Sequence, residues 1–123
     1  MIEGEVTPER QGLVRLRVSR LGDSSEEISV AIDTGFTGFL ALPTDTIARL
    51  GLHLVGARRG RLADGRLILM HLYLAQVRWD GVLRRLQGLE TGGPCLLGVS
   101  LLYGYVLTFE ARDGGHVSIA KLP

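Results

Sequence analysis

The sequence has one cysteine, no long apolar run and no excess of charge of one sign. A lone Cys95 excludes an intramolecular disulfide and a cysteine-rich zinc site, which favours a reducing, cytoplasmic setting. No apolar stretch approaches the roughly 20 residues that span a bilayer, and the chain opens without a basic and apolar leader, so we expect a soluble protein with no membrane partner. The 14 basic and 13 acidic residues are scattered, which argues against nucleic acid as a partner.

The remaining composition predicts a small β domain. At 123 residues and 46% hydrophobic content, the chain is long enough to bury a core, and we expect one domain over 1–123. Apolar and polar residues alternate along most of the chain, as in half-buried strands. Turn residues predict hairpins around 22–24, 64–65, 80–81 and 113–115. A short helix is predicted at 44–50, with polar residues capping its start and Gly51 behind it, and a helical turn at 99–103.

The segment around Asp33 is the most informative in the chain. Apolar residues at 28, 30 and 32 form a strand that delivers Asp33 to its end, where Thr34 offers a hydroxyl and Gly35 allows a tight turn. Backbone N–H groups and hydroxyls would hold such a carboxylate rigidly. On these three residues alone, an ordinary Asx turn at a strand end remains an alternative interpretation.

A second motif lies nearer the C-terminus. After the apolar-apolar-Asp-Thr-Gly pattern come a hairpin at 61–66 and the run Leu96-Leu97-Gly98, which leads into the predicted helical turn. In this order, and over about 13–119, the motifs resemble those of the retropepsin-like aspartic proteases, and most closely their prokaryotic single-domain branch. The resemblance implies an all-β fold, a closed barrel or sandwich of hairpins with one or two short helices, that acts as a symmetric homodimer.

The same resemblance assigns roles to individual residues. Asp33 would be catalytic, Thr34 would hydrogen-bond across the dimer axis, and Gly35 would offer its backbone to substrate. Leu96, Leu97 and Gly98 would form the strand that supports Asp33. The hairpin at 61–66 would be a flap over the substrate, with Ala63, Asp64 and Gly65 at its tip and Leu62 beside them, and an ordinary surface turn remains an alternative interpretation. The apolar residues Phe36, Phe39, Leu62 and Leu67 would line the cleft. The terminal segments 1–6 and 117–123 would supply an intersubunit sheet.

The chemistry explains why a second chain is needed. Hydrolysis of a peptide bond without a covalent intermediate requires one carboxylate to take a proton from water while another carboxyl gives one to the carbonyl. The other aspartates all lie in predicted turns or caps, so Asp33 has no partner within the chain. A two-fold axis would bring Asp33 beside its own copy, where the two groups share one proton and favour a weakly acidic optimum.

Two departures from the viral members are visible. The flap tip carries a charged Asp64 where viral members have glycine-rich, apolar tips. The Asp and Arg that form an ion pair in viral members correspond here to Thr37 and Val99, so both charges are missing together. The brace that this ion pair provides must therefore come from other groups.

Other conspicuous residues are interpreted as structural. His53, His71 and His116 lack the spacing of zinc ligands, and no metal or cofactor is expected. We interpret Cys95 as a small core residue and Trp79 as a residue that packs on a strand face. We interpret the arginines within 58–61 and at 84–85 as lying on solvent-exposed strand faces.

The leading hypothesis is therefore an aspartic endopeptidase that acts on peptide or protein substrates. The alternative is a non-catalytic module with the same fold that binds peptides or drives dimerisation. A third interpretation treats Asp33-Thr34-Gly35 as a phosphate-handling loop of an actin-like or dehalogenase-like enzyme. It is disfavoured because the second Asp of the dehalogenase motif is absent and the chain is too short for an actin-like fold.

Overall fold

In a computed structural model, which describes residues 1–22 and 25–123, the chain is built mainly of β-strands. This confirms the predicted all-β class with two short helices. The strands are β1 (Ile2–Val6), β2 (Gly12–Ser19), β3 (Glu26–Ile32), β4 (Leu40–Pro43), β5 (His53–Arg61), β6 (Leu67–Trp79), β7 (Val82–Thr91), β8 (Leu96–Leu97), β9 (Tyr105–Phe109) and β10 (His116–Lys121). The helices are α1 (Thr44–Leu50) and α2 (Val99–Leu102).

The strands form one sheet that closes on itself. Their order across the sheet is β5-β6-β7-β4-β8-β3-β2-β1-β10-β9, and β6 pairs in addition with β2. This extra pairing closes the six strands from β6 to β2 into a barrel, as expected from the sequence. The barrel strands gain hydrogen-bonded neighbours on both sides, whereas β5 and β9 stand at the two ends of the sheet.

The predicted alternation fills the barrel with apolar side chains. Along β2, the side chains of Val14, Leu16 and Val18 are buried, while Arg15 and Arg17 between them are exposed. Fully burying one such side chain contributes about 1.5–3 kcal/mol to stability. Among the described residues, the largest side chains with almost no exposure are Trp79, Leu40, Leu42, Leu97, Leu101 and Ile119. Trp79 packs edge-to-face on Tyr105 with ring centroids 5.5 Å apart, which confirms its packing role.

The hairpin turns follow the glycine signals. Asp80 and Gly81 both have positive φ angles, 50° and 82°, as a two-residue type I′ turn requires, and they join β6 to β7. The turns at 64–65 and 113–115 likewise join β5 to β6 and β9 to β10. The turn predicted at 22–24 includes Asp23 and Ser24, which lie outside the described residues.

Helix α1 has the predicted boundaries but a different N-terminal cap. The N-cap position is Pro43, which has no side-chain hydrogen bond to offer, and the carboxylate of Asp45 instead accepts the N–H of Thr46 at 2.9 Å. The polar residues predicted at the start of the helix thus lie in its first turn, and none of them occupies the N-cap position. Gly51 ends the helix in the left-handed region at φ 66° and donates its N–H to the carbonyl of Ala48.

Two parallel pairings connect distant parts of the chain. Strand β3 runs parallel to β8, with Ala31 opposite Leu96 and Ile32 opposite Leu97, and β4 pairs with β8 on its other side. Strand β4 is also parallel to β7. Because β3 and β8 end at the same edge, the residues that follow them, Asp33 and Gly98, come to lie side by side.

The terminal strands are bonded within the chain. Strand β1 pairs with β10 through 2–5 and with β2 through 4–6, and β10 pairs with both β1 and β9. The expectation that these segments supply an intersubunit sheet is therefore corrected, since their ladder positions are already occupied. Among the strands of the described residues, β9 has one neighbour, β10, and offers the open edge instead.

Candidate active site

Asp33 lies at the end of β3 in a loop that its own carboxylate holds together. Its backbone N–H donates to the carbonyl of Leu97 at 2.9 Å, which ties the loop to β8. Its Oδ1 accepts the N–H of Gly35 at 2.9 Å, and a Cβ added to Gly35 would lie 3.3 Å from that oxygen. The side chain is half-buried, so the carboxylate is fixed on the protein side and open on the other.

The second motif supports this loop from β8 and the start of α2. Leu97 is buried in the barrel and Leu96 is half-buried beside it. Gly98 donates its N–H to the carbonyl of Phe39 at 2.9 Å, and the N–H of Val99 bonds the carbonyl of Phe36 at 2.8 Å. The two motifs predicted from the sequence are thus joined by backbone hydrogen bonds.

Gly98 is required at the crossing of the two segments because the backbones touch there. A Cβ built on Gly98 would lie 2.0 Å from the carbonyl oxygen of Gly38 and 2.7 Å from the ring of Phe36. The φ of Gly98 is −93°, which any residue adopts, so space alone imposes glycine. The glycine of the second motif thus has a steric reason.

Ser100 is a site residue that the sequence reasoning missed. Its hydroxyl donates to the carbonyl of Thr37 at 2.5 Å, and its N–H donates to the carbonyl of Gly38 at 3.2 Å. These bonds connect the segments that hold Thr37 and Val99, the positions where the resemblance implies a lost ion pair. Its partner Thr37 lies 63 positions away in the chain, so no local pattern in the sequence signals this bond.

Thr34 is exposed beside Asp33. Within the described part of this single chain its hydroxyl has no hydrogen-bond partner, whereas both neighbouring residues are held by the loop. This leaves the hydroxyl free for a group outside the chain. Its predicted bond across a dimer axis stays a prediction.

The predicted flap is the hairpin of β5 and β6, closed by hydrogen bonds of its own. The N–H of Leu62 bonds the carbonyl of Arg66 at 2.8 Å, and Gly65, at φ 88°, donates to the carbonyl of Leu62. Asp64 accepts the backbone N–H of Arg66 at 3.0 Å and its Nε at 2.7 Å. The tip residues, Ala63 included, are exposed except for half-buried Leu62. The charge of Asp64 therefore stabilises the turn, and its ion pair is worth little in solvent.

A small cavity of about 140 Å³ lies between the loop after Asp33 and this hairpin. It is lined by Phe36, Thr37, Gly38, Phe39, Leu40, Arg58, Leu72, Gln87, Leu89 and Ser100. Phe36 and Phe39 thus line the cleft region as predicted. Leu62 and Leu67 do not, because Leu67 points to the other face of β6 and is 60% exposed.

A larger cavity of about 730 Å³ lies away from Asp33, along β1 and β2. Its charged lining residues are of both signs, namely Glu3, Glu5 and Arg15, and His116 also lines it. The carboxylate of Glu3 is 3.4 Å from the imidazole of His116, so these two side chains contact each other. Size alone therefore does not make this cavity the reactive site.

The histidines and the cysteine show no metal-binding or nucleophilic arrangement. In the described ranges no three side chains of His, Cys, Asp or Glu are grouped so as to hold a metal ion. His71 lies 3.4 Å from Glu90. Burial raises the pKa of the half-buried Cys95 thiol, so its thiolate is scarce at neutral pH. Across 1–22 and 25–123, no helix has both the length and the apolar character to cross a membrane.

Comparison with known proteins identifies the fold. Neither a protein-family model nor a curated protein matches the sequence. Among solved structures, a retropepsin-like aspartic protease from Rickettsia conorii superposes with a TM-score of 0.61 at 16% identity, over 98% of this chain and 90% of that one. EIAV protease in complex with the inhibitor HBY-793 superposes with a TM-score of 0.56 at 17% identity, over 77% of this chain and 88% of that one.

The chain therefore has a retropepsin-like fold. One of these two structures is that of a retropepsin-like aspartic protease, and the sequence resemblance named the same fold from the motifs alone. At such low identities the likeness establishes the fold and leaves the chemistry to be argued from this chain's own residues.

Proposed function

We propose that the protein is an aspartic endopeptidase that acts as a homodimer, with Asp33 of each chain forming the catalytic pair. The observation that carries this proposal is the position of Asp33. It stands half-buried at the end of β3, held by the N–H of Gly35 and supported by the Leu97–Gly98 strand end. The retropepsin-like fold agrees with this role, and it is the reason to prefer a peptide over other substrates.

The need for a second chain follows from the reaction. One carboxylate of the pair takes a proton from water as the water oxygen attacks the scissile carbonyl carbon, and the other carboxyl gives its proton to the carbonyl oxygen. Collapse of the tetrahedral intermediate then breaks the C–N bond as a proton passes to the leaving nitrogen. Among residues 1–22 and 25–123 no hydrogen bond joins the Asp33 carboxylate to another carboxyl group, so we expect the second carboxyl to come from a second copy.

The surface also favours self-association. Strand β9 has an open edge, and the apolar side chains on and beside it are exposed, with Tyr103 88% exposed and Val106 and Phe109 at 45% and 40%. An open strand edge is a template for pairing with another chain, and exposed apolar residues mark protein contacts. We expect a second copy to cover this edge.

The test compares wild type with Asp33→Asn and with Asp113→Asn. The second variant is the matched control because it removes the same charge from an exposed turn. We expect all three to sediment as dimers, while only wild type and Asp113→Asn cut a mixed peptide library at mildly acidic pH. A pepstatin-type inhibitor should stop this cleavage. Residual activity should fall by at least about a thousandfold in Asp33→Asn, since removing a catalytic group costs on this scale.

Two outcomes would contradict the proposal. Cleavage by Asp33→Asn at the wild-type rate would show that another group does the chemistry. Peptide binding by a dimer that releases no product would favour the alternative, a non-catalytic module with this fold.

A further inference from the structure

Arg58 is the one charged residue that lines the cavity beside the Asp33 loop, judged over the part of the chain that the structure describes. The other lining residues are apolar or neutral, with the phenyl rings of Phe36 and Phe39 on one side and Leu72 on the other. At about 140 Å³ the cavity is close to the roughly 150 Å³ that holds one benzene molecule, so it fits a single side chain.

Arg58 faces this cavity because of its register in the hairpin. It stands opposite Met70, and two residues along the strands Gly56 stands opposite Leu72, so these positions share one face of the hairpin. Neighbouring Arg59, opposite Leu69, points to the other face, where Leu69 is 62% exposed. The two adjacent arginines are therefore on opposite faces of one strand.

The guanidinium of Arg58 is not neutralised within the described chain. Carboxylates near the hairpin are already engaged, Asp64 with Arg66 and Glu90 with His71, and Arg58 has no ion pair or hydrogen bond among residues 1–22 and 25–123. Gln87, also in the lining, adds an amide that makes no side-chain hydrogen bond in the same ranges. The cavity thus has apolar walls and two groups of free hydrogen-bond donors, the guanidinium of Arg58 and the amide of Gln87.

The whole hairpin reinforces this charge. Between positions 53 and 69 the sequence has four arginines and one aspartate, a net charge of +3 with the histidine neutral (4 − 1). A further guanidinium, that of Arg84, lies 6.0 Å from the ring centroid of Phe39 in the lining. A positive field over a cleft raises the local concentration of anionic partners.

From these observations we infer that the cavity is a specificity subsite for an acidic side chain of the peptide, glutamate or aspartate, recognised by Arg58. The inference rests on the proposed peptidase function and adds the substrate class. The carboxylate would accept hydrogen bonds from Arg58, and the methylene groups of the side chain would pack on Phe36 and Leu72. A symmetric dimer has two such cavities, so acidic residues are expected at fixed distances on one or both sides of the cut.

The test is cleavage-site profiling of a mixed peptide library with wild type, Arg58→Gln and Arg59→Gln. We expect wild type to prefer glutamate over glutamine about tenfold at one subsite, as charge-assisted hydrogen bonds are stronger than neutral ones. Arg58→Gln should abolish the preference, and Arg59→Gln, with the same loss of charge on the opposite face, should keep it. The preference should also weaken as salt is raised from 0.05 to about 0.5 M, because the site is open to solvent.

Several results would overturn the inference while leaving the peptidase intact. One is cleavage with no acidic preference, and another is an equal loss of preference in both arginine variants, which would indicate general attraction only. If wild type cuts nothing, the proposed function fails, and fluorescence anisotropy with labelled glutamate and glutamine peptides on Asp33→Asn then decides the subsite. Arg58-dependent, glutamate-selective binding would sustain it, and equal binding of the two peptides would refute it.

Discussion

Replacing Gly98 by alanine tests the crossing of the two motifs most directly. The new Cβ would meet the carbonyl oxygen of Gly38 at 2.0 Å, its carbon at 2.8 Å and the ring of Phe36 at 2.7 Å. Two of these three atoms belong to the backbone, so no side-chain rotation relieves the overlap. The loop after Asp33 must move away from the start of α2.

The magnitude follows from the contacts that this movement breaks. Overpacking costs about 1–3 kcal/mol. The N–H bonds of Gly98 to Phe39 and of Ser100 to Gly38 would lengthen, and each is worth about 0.5–1.5 kcal/mol. We expect Gly98→Ala to lower the free energy of unfolding by about 2–4 kcal/mol, which is roughly a 10 °C fall in Tm for a domain of this size.

Urea unfolding followed by fluorescence of the single Trp79, which is buried, measures this change. The matched control is Gly93→Ala, because a Cβ on Gly93 meets nothing within 4 Å and its φ lies outside the left-handed region. It should change stability by less than about 1 kcal/mol. If the two variants unfold at the same urea concentration, the segments are not packed as described. Cleavage by the folded Gly98→Ala protein should also fall, since Asp33 is carried by the displaced loop.

Two further predictions concern the dimer edge and the cysteine. Val106→Lys, at the open edge of β9, should shift the protein to monomers in sedimentation equilibrium and remove cleavage without unfolding it, because a lysine discourages edge pairing. The control Val82→Lys, at a more exposed position on β7, should remain dimeric. A dimeric Val106→Lys would exclude β9 from the interface. Burial raises the pKa of Cys95, so alkylation by iodoacetamide at pH 7.5 should be several-fold slower in the native protein than in urea. As the pH rises through the ordinary pKa of a thiol, only the unfolded state loses its proton, and stability should decline; equal alkylation rates would contradict this assignment.

Local signals in the sequence carry most of the fold but not its long-range pairings. The alternation in β2, the I′ turn at Asp80-Gly81 and the boundaries of α1 follow from residues within a few positions of one another. The parallel neighbour of β3 does not, since an alternating pattern says which face is buried and not which strand lies alongside. The resemblance supplied that information for Asp33 and Gly98. For the termini the resemblance gave a wrong prediction, because β1 and β10 pair within the chain.

The face that Arg58 occupies depends on a single inserted residue. The arginines of β5 are exposed, as the sequence predicts, but the sequence does not show which of them lines the cavity. The register shifts between Leu54, opposite Tyr73, and Gly56, opposite Leu72, so Val55 is an extra residue in the ladder. Without this bulge, Arg58 would stand opposite Leu69 and share its exposed face. With it, Arg58 stands opposite Met70 and lines the cavity beside the Asp33 loop. A one-residue slip moves every side chain beyond it to the other face, and a count of alternating residues cannot detect such a slip. The charge of the proposed subsite is therefore set by a bulge at Val55, three residues away from the arginine that carries it.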